Sequence, residues 1–440
     1  MDLGTKDPMG LNALTASEAA ERLAAGDITS EALVRDCLAR IAAREDAVQA
    51  WDYLDPDYAI AQARDADASP RRSALHGVPV GIKDIYDTED MPTAHGFGPY
   101  AGDRSGRDSA CVASLRAAGM VILGKTVTTE FACPRPRRTR NPHDATRTPG
   151  VSSSGSAAAV ADFMAPLANG SQTGGSVIGP SANCGVYGYK ASLDGLDRTG
   201  FRHCKKSIDT IGLFARSLDD LILLRSVQTG TTAAAPVAAP LRIGFVRTPY
   251  WETAEACTRA AVERSATLLA GAGAAIVDVA LPRLFVDIEP DFGIVNGWEG
   301  AAMLDLEIHQ HFDAFNEHNR ERVEFARTLS VDDYQAAGKR LDAARAAMDG
   351  LIGGYDLFLT PSLSGEAPVG LTEVRSAVFA RLWTQMYTPS VNLPLYEGPH
   401  GLPVNIQLVG RQGSDDRTLA AAAWVDARLR EALGAAPTRV

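Results

Sequence analysis

Thr173-Gly174-Gly175-Ser176 sets a hydroxyl directly behind two residues that carry no side chain, so consecutive backbone N–H groups can converge on one point beside it. That is how an oxyanion hole is built next to a serine nucleophile. Upstream, Gly150-Val151-Ser152-Ser153-Ser154-Gly155-Ser156 supplies further hydroxyls ahead of a segment, AAAVADFM, that reads as a helix. Each of these serines suits helix capping as well as catalysis, and composition leaves the two readings even. A serine nucleophile also needs a base. Lys83 follows the apolar stretch GVPVGI, where an ammonium loses solvation and its pKa falls toward neutrality, leaving an amine able to accept a proton. A lone lysine is ordinarily a solvated or snorkelling chain, so this assignment depends on a partner motif.

Other chemistries fit less well. Gly119 to Thr126 matches the phosphate-loop pattern GxxxxGK[ST], but its variable positions are Met, Val, Ile and Leu and a helix precedes it. A phosphate loop needs a strand before it and flexible residues whose N–H groups curl round the anion, so this segment reads as a buried strand. No GxSxG or SxxK motif occurs, and His76, His143 and His203 are scattered. His309 and His311 sit two apart, on different sides of a helix, which does not make a metal site. The run Arg135, Arg137, Arg138 and Arg140 offers an anion clamp at a site entrance, although such runs usually face water.

The elements that must position these groups can be traced along the chain. From Thr15 to Ala63 the spacing predicts two or three helices, with Thr15 and Glu18 as a capping box. Short β-branched runs around HGVPVGIKD and MVILGKTV, separated by a helix over Asp108–Ala118, predict a mixed α/β core. Gly230 to Pro240 reads as a surface connection before the strand LRIGFV. A helix from Glu255, the strand AAIVDV, a helical stretch from Phe285 to Gly350, the strand LPVNIQLVG and a helix from Asp415 complete the chain.

With 440 residues the chain can bury a large core, and length alone allows up to about three domains. Its net charge of −11 argues against nucleic acid and anionic lipid as partners. Cys37, Cys111, Cys133, Cys184, Cys204 and Cys257 lack zinc-ligand spacing and are expected as buried thiols in a reducing compartment. Neither a secretory signal nor a membrane-spanning run is found, so a soluble cytoplasmic protein is expected.

Together, GVPVGIKD, GKTVTTEFA, PGVSSSGSAAAVA, QTGGSVIGPSANCG and GLPVNIQLVG resemble the amidase signature family. Lys83 lies 69 positions before Ser152, and Ser152 lies 24 before Ser176, spacings that agree with that family. The resemblance covers essentially the whole chain. It implies one α/β domain over 1–440, with a mixed multi-stranded sheet covered by helices: N-terminal helices over about 11–65, a catalytic core over about 70–230, and the remainder over about 240–440 with a variable helical region at about 285–350.

The resemblance further implies a Ser–cis-Ser–Lys triad, with Ser176 as nucleophile, Ser152 as the serine after a cis peptide bond and Lys83 as base. Thr173, Gly174, Gly175 and Ser176 would hold the oxyanion, and Ser153 would support the lysine. No cofactor or metal is expected, and a dimer is common among relatives. Gln172 makes the chain look like the malonamidase branch, yet the arginine which that branch places three residues after the nucleophile is Gly179 here. The other common arginine position is Ile178.

With no guanidinium at either place, a neutral carboxamide, anilide, hydrazide or carbamate with a sizeable acyl or carbamoyl group is expected as substrate. Trp298, Met303, Trp383 and Met386 are candidates for the acyl pocket, with core packing the plainer role. The alternative is the family's amidotransferase-type subunit, which supplies ammonia within a complex.

Overall fold

The computed structural model describes residues 10–434, apart from 233, 234, 236, 238 and 239. The expectations made for the first nine residues, for the chain end and for part of the Gly230–Pro240 connection lie outside the described residues. Eleven strands form one mixed sheet: β1 (Trp51–Leu54), β2 (Pro79–Lys83), β3 (Val121–Thr126), β4 (Leu167–Gln172), β5 (Tyr187–Lys190), β6 (Thr210–Ala215), β7 (Arg242–Val246), β8 (Ala275–Val279), β9 (Leu357–Pro361), β10 (Ser390–Glu397) and β11 (Pro403–Val409). Their order is β1-β3-β2-β4-β6-β5-β10-β11-β9-β7-β8.

Helices cover both faces of the sheet, and two large apolar clusters meet its two sides. This is the expected α/β layering, in which a sheet must bury each face against helices. No helix among the described residues is long and apolar enough to cross a membrane.

The N-terminal helices are Ala16–Ala25, Ser30–Val48 and Pro56–Ala68, and Thr15 and Glu18 form the reciprocal capping box. Between the second and third lies β1, which no sequence signal announced; it pairs antiparallel with β3. Five of the cysteines are buried, and Cys257 is only half-buried. Trp383 and Met386 pack in a core cluster, and Trp298 stacks on Tyr334 with ring centroids 5.7 Å apart.

Two features of the sheet bear on the site. β2 and β4 run parallel, with Val80 opposite Leu167 and Gly81 opposite Ala168, so the C-terminal ends of both strands emerge at the same edge. Lys83 closes β2, and Ser171 and Gln172 close β4. The carboxyl edge of parallel strands is where α/β sheets ordinarily bind ligands.

The phosphate-loop look-alike is strand β3, buried along its whole length. Lys125 lies inside, 3.2 Å from an Asp84 carboxylate oxygen, and its Nζ donates to the carbonyls of Tyr86 and Pro92 and to Thr93 Oγ1. Burial pushes the Asp84 carboxyl up to about 6 and lowers the Lys125 ammonium. Removing one partner of a buried pair leaves the other charge uncompensated. Lys125→Met is therefore expected to cost about 3–5 kcal/mol in a denaturant melt, with the Asp84→Asn, Lys125→Met double variant recovering part of that loss.

Candidate active site

Lys83 is fully buried at the end of β2. Its backbone N–H donates to Asn169 Oδ1 at 2.9 Å, which ties it to neighbouring β4. Its Nζ is within hydrogen-bond distance of three hydroxyls, Ser152 Oγ at 2.7 Å, Ser153 Oγ at 2.9 Å and Ser171 Oγ at 2.8 Å. Burial lowers its pKa to about 7, while Asp209 and Cys204 pull the other way. A neutral amine has two N–H bonds and one lone pair, so among three hydroxyls it can donate twice and accept once.

Ser152 and Ser153 arrive on the turn before the helix Ser154–Ala161, and the Val151–Ser152 peptide bond is cis. Ser153 occupies the N-cap position without making a side-chain cap. Its hydroxyl instead accepts from Lys83 Nζ and from the Ser171 N–H, and donates to the Ser171 carbonyl at 3.2 Å. For Ser153, the capping reading therefore gives way to contact with the lysine. The turn reaches this close because residue 170 is glycine: a Cβ there would lie 2.7 Å from Ser153 Oγ.

Thr173, Gly174, Gly175 and Ser176 follow β4 directly and line a cavity of ≈ 270 Å³. Among the described residues, neither the Ser176 hydroxyl nor the N–H groups of Gly174, Gly175 and Ser176 have a hydrogen-bond partner in the protein. Gln172 holds the far side of this turn, its Oε1 accepting from the N–H groups of Val177 (2.8 Å) and Ile178 (3.0 Å) while its Nε2 donates to Thr384 Oγ1. Asp209 holds the near side, accepting from Thr173 Oγ1. The loop is thus braced at both ends with its donors facing open space. Anchored amides of this kind need little reorganisation when negative charge develops in front of them.

Of the two expected substrate positions, Gly179 lines the cavity and Ile178 does not. Ile178 is fully buried at the first turn of the helix Ile178–Cys184. The space beside Gly179 is open, the nearest atom to a Cβ there being a Leu363 methyl at 4.0 Å.

Sequence reading missed Ser171, the third hydroxyl on the lysine, because LANGSQ lacks the β-branched residues that mark a strand. It missed the opposite wall as well, where Phe292, Asn296, Lys205, Arg322, Arg375 and Arg381 line the cavity. The expectation of a neutral substrate weighed only positions 178 and 179. Four cationic side chains from other elements also line the cavity, two of them, Arg375 and Arg381, paired with Glu255 and Glu289.

The arginine run does not clamp this cavity. Arg137 and Arg138 pair with Asp52 at 2.9 Å each, and Arg140 donates to the Ala145 carbonyl, so the segment is fastened to β1 and to itself.

A Cβ at position 175 would lie 2.8 Å from the Cβ of Ala377. Gly175→Ala must therefore shift the turn that carries three free N–H groups. Loss of one well-placed oxyanion donor costs about 10²–10³ in rate, so this variant is expected to lose kcat on that scale while its melting temperature stays near wild type.

A family model described as Amidase matches residues 32–419. The chain is 33% identical to a glutamyl-tRNA(Gln) amidotransferase subunit of Chloroflexus aggregans, over 93% of this chain and 95% of that one. A peptide amidase from Stenotrophomonas maltophilia superposes with a TM-score of 0.83 at 27% identity, covering 96% of this chain and 98% of that one. A further amidase crystal structure gives a TM-score of 0.86 at 26% identity, covering 94% and 100%. With the mixed sheet and the motifs that border its cavity, these similarities make the chain a member of the amidase signature family.

Proposed function

We propose that the protein hydrolyses the C–N bond of a small amide or amide-like substrate through an acyl-enzyme on Ser176. The observation that carries this reading is the fully buried Lys83 amine, hydrogen-bonded to Ser152 behind a cavity that Ser176 lines. In the proposed reaction neutral Lys83 takes the Ser152 proton, Ser152 takes the Ser176 proton, and Ser176 Oγ attacks the carbonyl carbon. The N–H groups of Thr173, Gly174, Gly175 and Ser176 receive the oxyanion.

The C–N bond then breaks as the proton returns along the same path to the leaving nitrogen. Water, deprotonated by the same relay, attacks the Ser176 ester, releases the acid and restores the serine. Ser153 and Ser171 position the amine. The acyl or carbamoyl group occupies the open space at Gly179.

A second reading, an ammonia-supplying component of a transamidation complex, is favoured by the identity to the glutamyl-tRNA(Gln) amidotransferase chain of Chloroflexus aggregans. Assembly separates the two. A stand-alone hydrolase turns over amides by itself, whereas such a component depends on companion chains and favours glutamine.

The direct test is ammonia release from a panel of amides, carbamates and half-acids. Ser176→Ala is expected to lose at least about a thousandfold in kcat, as triad nucleophiles do. Activity near the wild-type level in Ser176→Ala would refute the proposal. Lys83→Met should fall comparably, because no other basic group among the described residues is hydrogen-bonded to Ser152.

Only the unprotonated amine accepts a proton, and burial has brought its pKa to about 7. The pH profile of kcat/KM should therefore rise through about 7 to a plateau on the alkaline side. A profile flat from pH 5 to 8 would contradict Lys83 as the base.

A further inference from the structure

Neither Gly174 nor Gly175 has a side chain to restrict rotation of the peptide that joins them. That peptide is trans, so it is planar with its C=O and N–H pointing in opposite directions. Whatever holds the Gly174 carbonyl therefore aims the Gly175 N–H, and whatever holds the Gly175 carbonyl aims the Ser176 N–H. The second is fixed within the segment, since the Gly179 N–H donates to the Gly175 carbonyl at 2.7 Å. The Gly174 carbonyl receives no backbone N–H among the described residues outside regular helices and strands.

The group that reaches it is Thr384 Oγ1, on a buried side chain in the last turn of the helix Val378–Gln385. Gln172 directs the threonine proton. The Val177 and Ile178 N–H groups occupy Gln172 Oε1, so the other end of that amide is the NH2 that donates to Thr384 Oγ1 at 2.9 Å. With this donor on its oxygen, the threonine gives its single proton elsewhere.

Two carbonyls lie in reach, Gly174 O at 3.4 Å and Ala380 O at 3.3 Å. Ala380 is four residues back in the same helix, where the helical ladder already supplies a carbonyl with an N–H. The Gly174 carbonyl has no such partner, so the proton satisfies more there. Both distances are long for an O–H···O bond, and catalytic hydrogen bonds of this kind tighten when the site fills.

Resting on the hydrolase reading above, we infer that Thr384 is a positioning residue, which holds the Gly174 carbonyl and so keeps the Gly175 N–H turned toward the oxyanion. Thr384 does not line the cavity, so its effect on rate runs through the turn. The amide of Gln172, the hydroxyl of Thr384 and the carbonyl of Gly174 form a strap that ties the cavity-wall helix to the oxyanion donors. A threonine serving only its own helix would bond Ala380 and leave the turn indifferent to its loss.

The test removes the hydroxyl with Thr384→Val, which keeps the shape, and with Thr384→Ala, and restores it with Thr384→Ser. Each of the first two is expected to lose about tenfold in kcat, the scale of one neutral hydrogen bond. KM should stay close to wild type, and Thr384→Ser should recover most of the rate.

A second readout does not depend on turnover. The chain contains two Gly-Gly pairs, Gly174-Gly175 and Gly353-Gly354. Full-length protein made with glycine carrying carbon-13 at the carbonyl and nitrogen-15 therefore gives two carbonyl-to-amide NMR correlations, and the one missing in Gly175→Ala belongs to the turn. In Thr384→Val and Thr384→Ala that carbonyl resonance should move upfield, as a carbonyl does on losing a hydrogen bond, while the Gly353-Gly354 signal stays in place.

Should wild type cleave no amide while the carbonyl shifts in this way, the hydrolase reading fails and the hold of Thr384 on the turn stands. A Gly174 carbonyl indifferent to the loss of the hydroxyl in folded protein, or wild-type kcat in both Thr384→Val and Thr384→Ala, would overturn the inference.

Discussion

The site depends on holding one amine out of water among hydroxyls and no carboxylate. Lys83 has three serine oxygens around its nitrogen, and each is a weaker partner for an ammonium than an aspartate would be. Lys125, on the adjacent strand β3, shows the contrast, since it sits against Asp84 and serves the core. Desolvation without a compensating anion is what turns a lysine into a base at neutral pH. The rest of the local structure follows from that need. Strand β2 delivers the amine to the sheet edge, β4 brings Ser171 alongside, and the turn before Ser154–Ala161 brings Ser152 and Ser153.

Around this fixed centre the molecule divides its labour. The segment that carries the lysine and serines also carries the backbone donors, clamped by Gln172 on one side and Asp209 on the other. The facing wall comes from distant parts of the chain: Phe292 and Asn296 one helical turn apart, Arg322 on the helix Glu317–Arg327, and Arg375 to Arg381 before and within the helix Val378–Gln385. Thr384 joins the two territories, accepting from Gln172 Nε2 and donating to the Gly174 carbonyl. Such an arrangement allows the wall to vary while the cluster of Lys83 with Ser152, Ser153 and Ser171 stays in place.

Much of this was legible in the residues. The buried strand hidden in a phosphate-loop pattern and the capping box at Thr15 could be read from local chemistry and spacing, whereas the grouping of Lys83 with Ser152 and Ser153 came from the resemblance to the amidase signature family. What escaped was set by tertiary contact. Strand β4 is made of Leu, Ala, Asn, Gly, Ser and Gln, which fit a strand only because neighbours press on both faces. β1 is four residues long and lies between helical segments. The cationic wall has no sequence signature, because Lys205, Arg322, Arg375 and Arg381 come from separate segments of the chain and meet only in the folded cavity.

The central claim is that Lys83 carries no proton when the enzyme works. A carbon-13 NMR titration of the lysine Cε resonances, with the Lys83 signal identified by its absence in Lys83→Met, measures this on the resting protein. The account predicts a midpoint near 7, about where burial has moved it. A midpoint in the ordinary lysine range, close to about 10.4, would mean that the amine stays charged at neutral pH and cannot receive the serine proton.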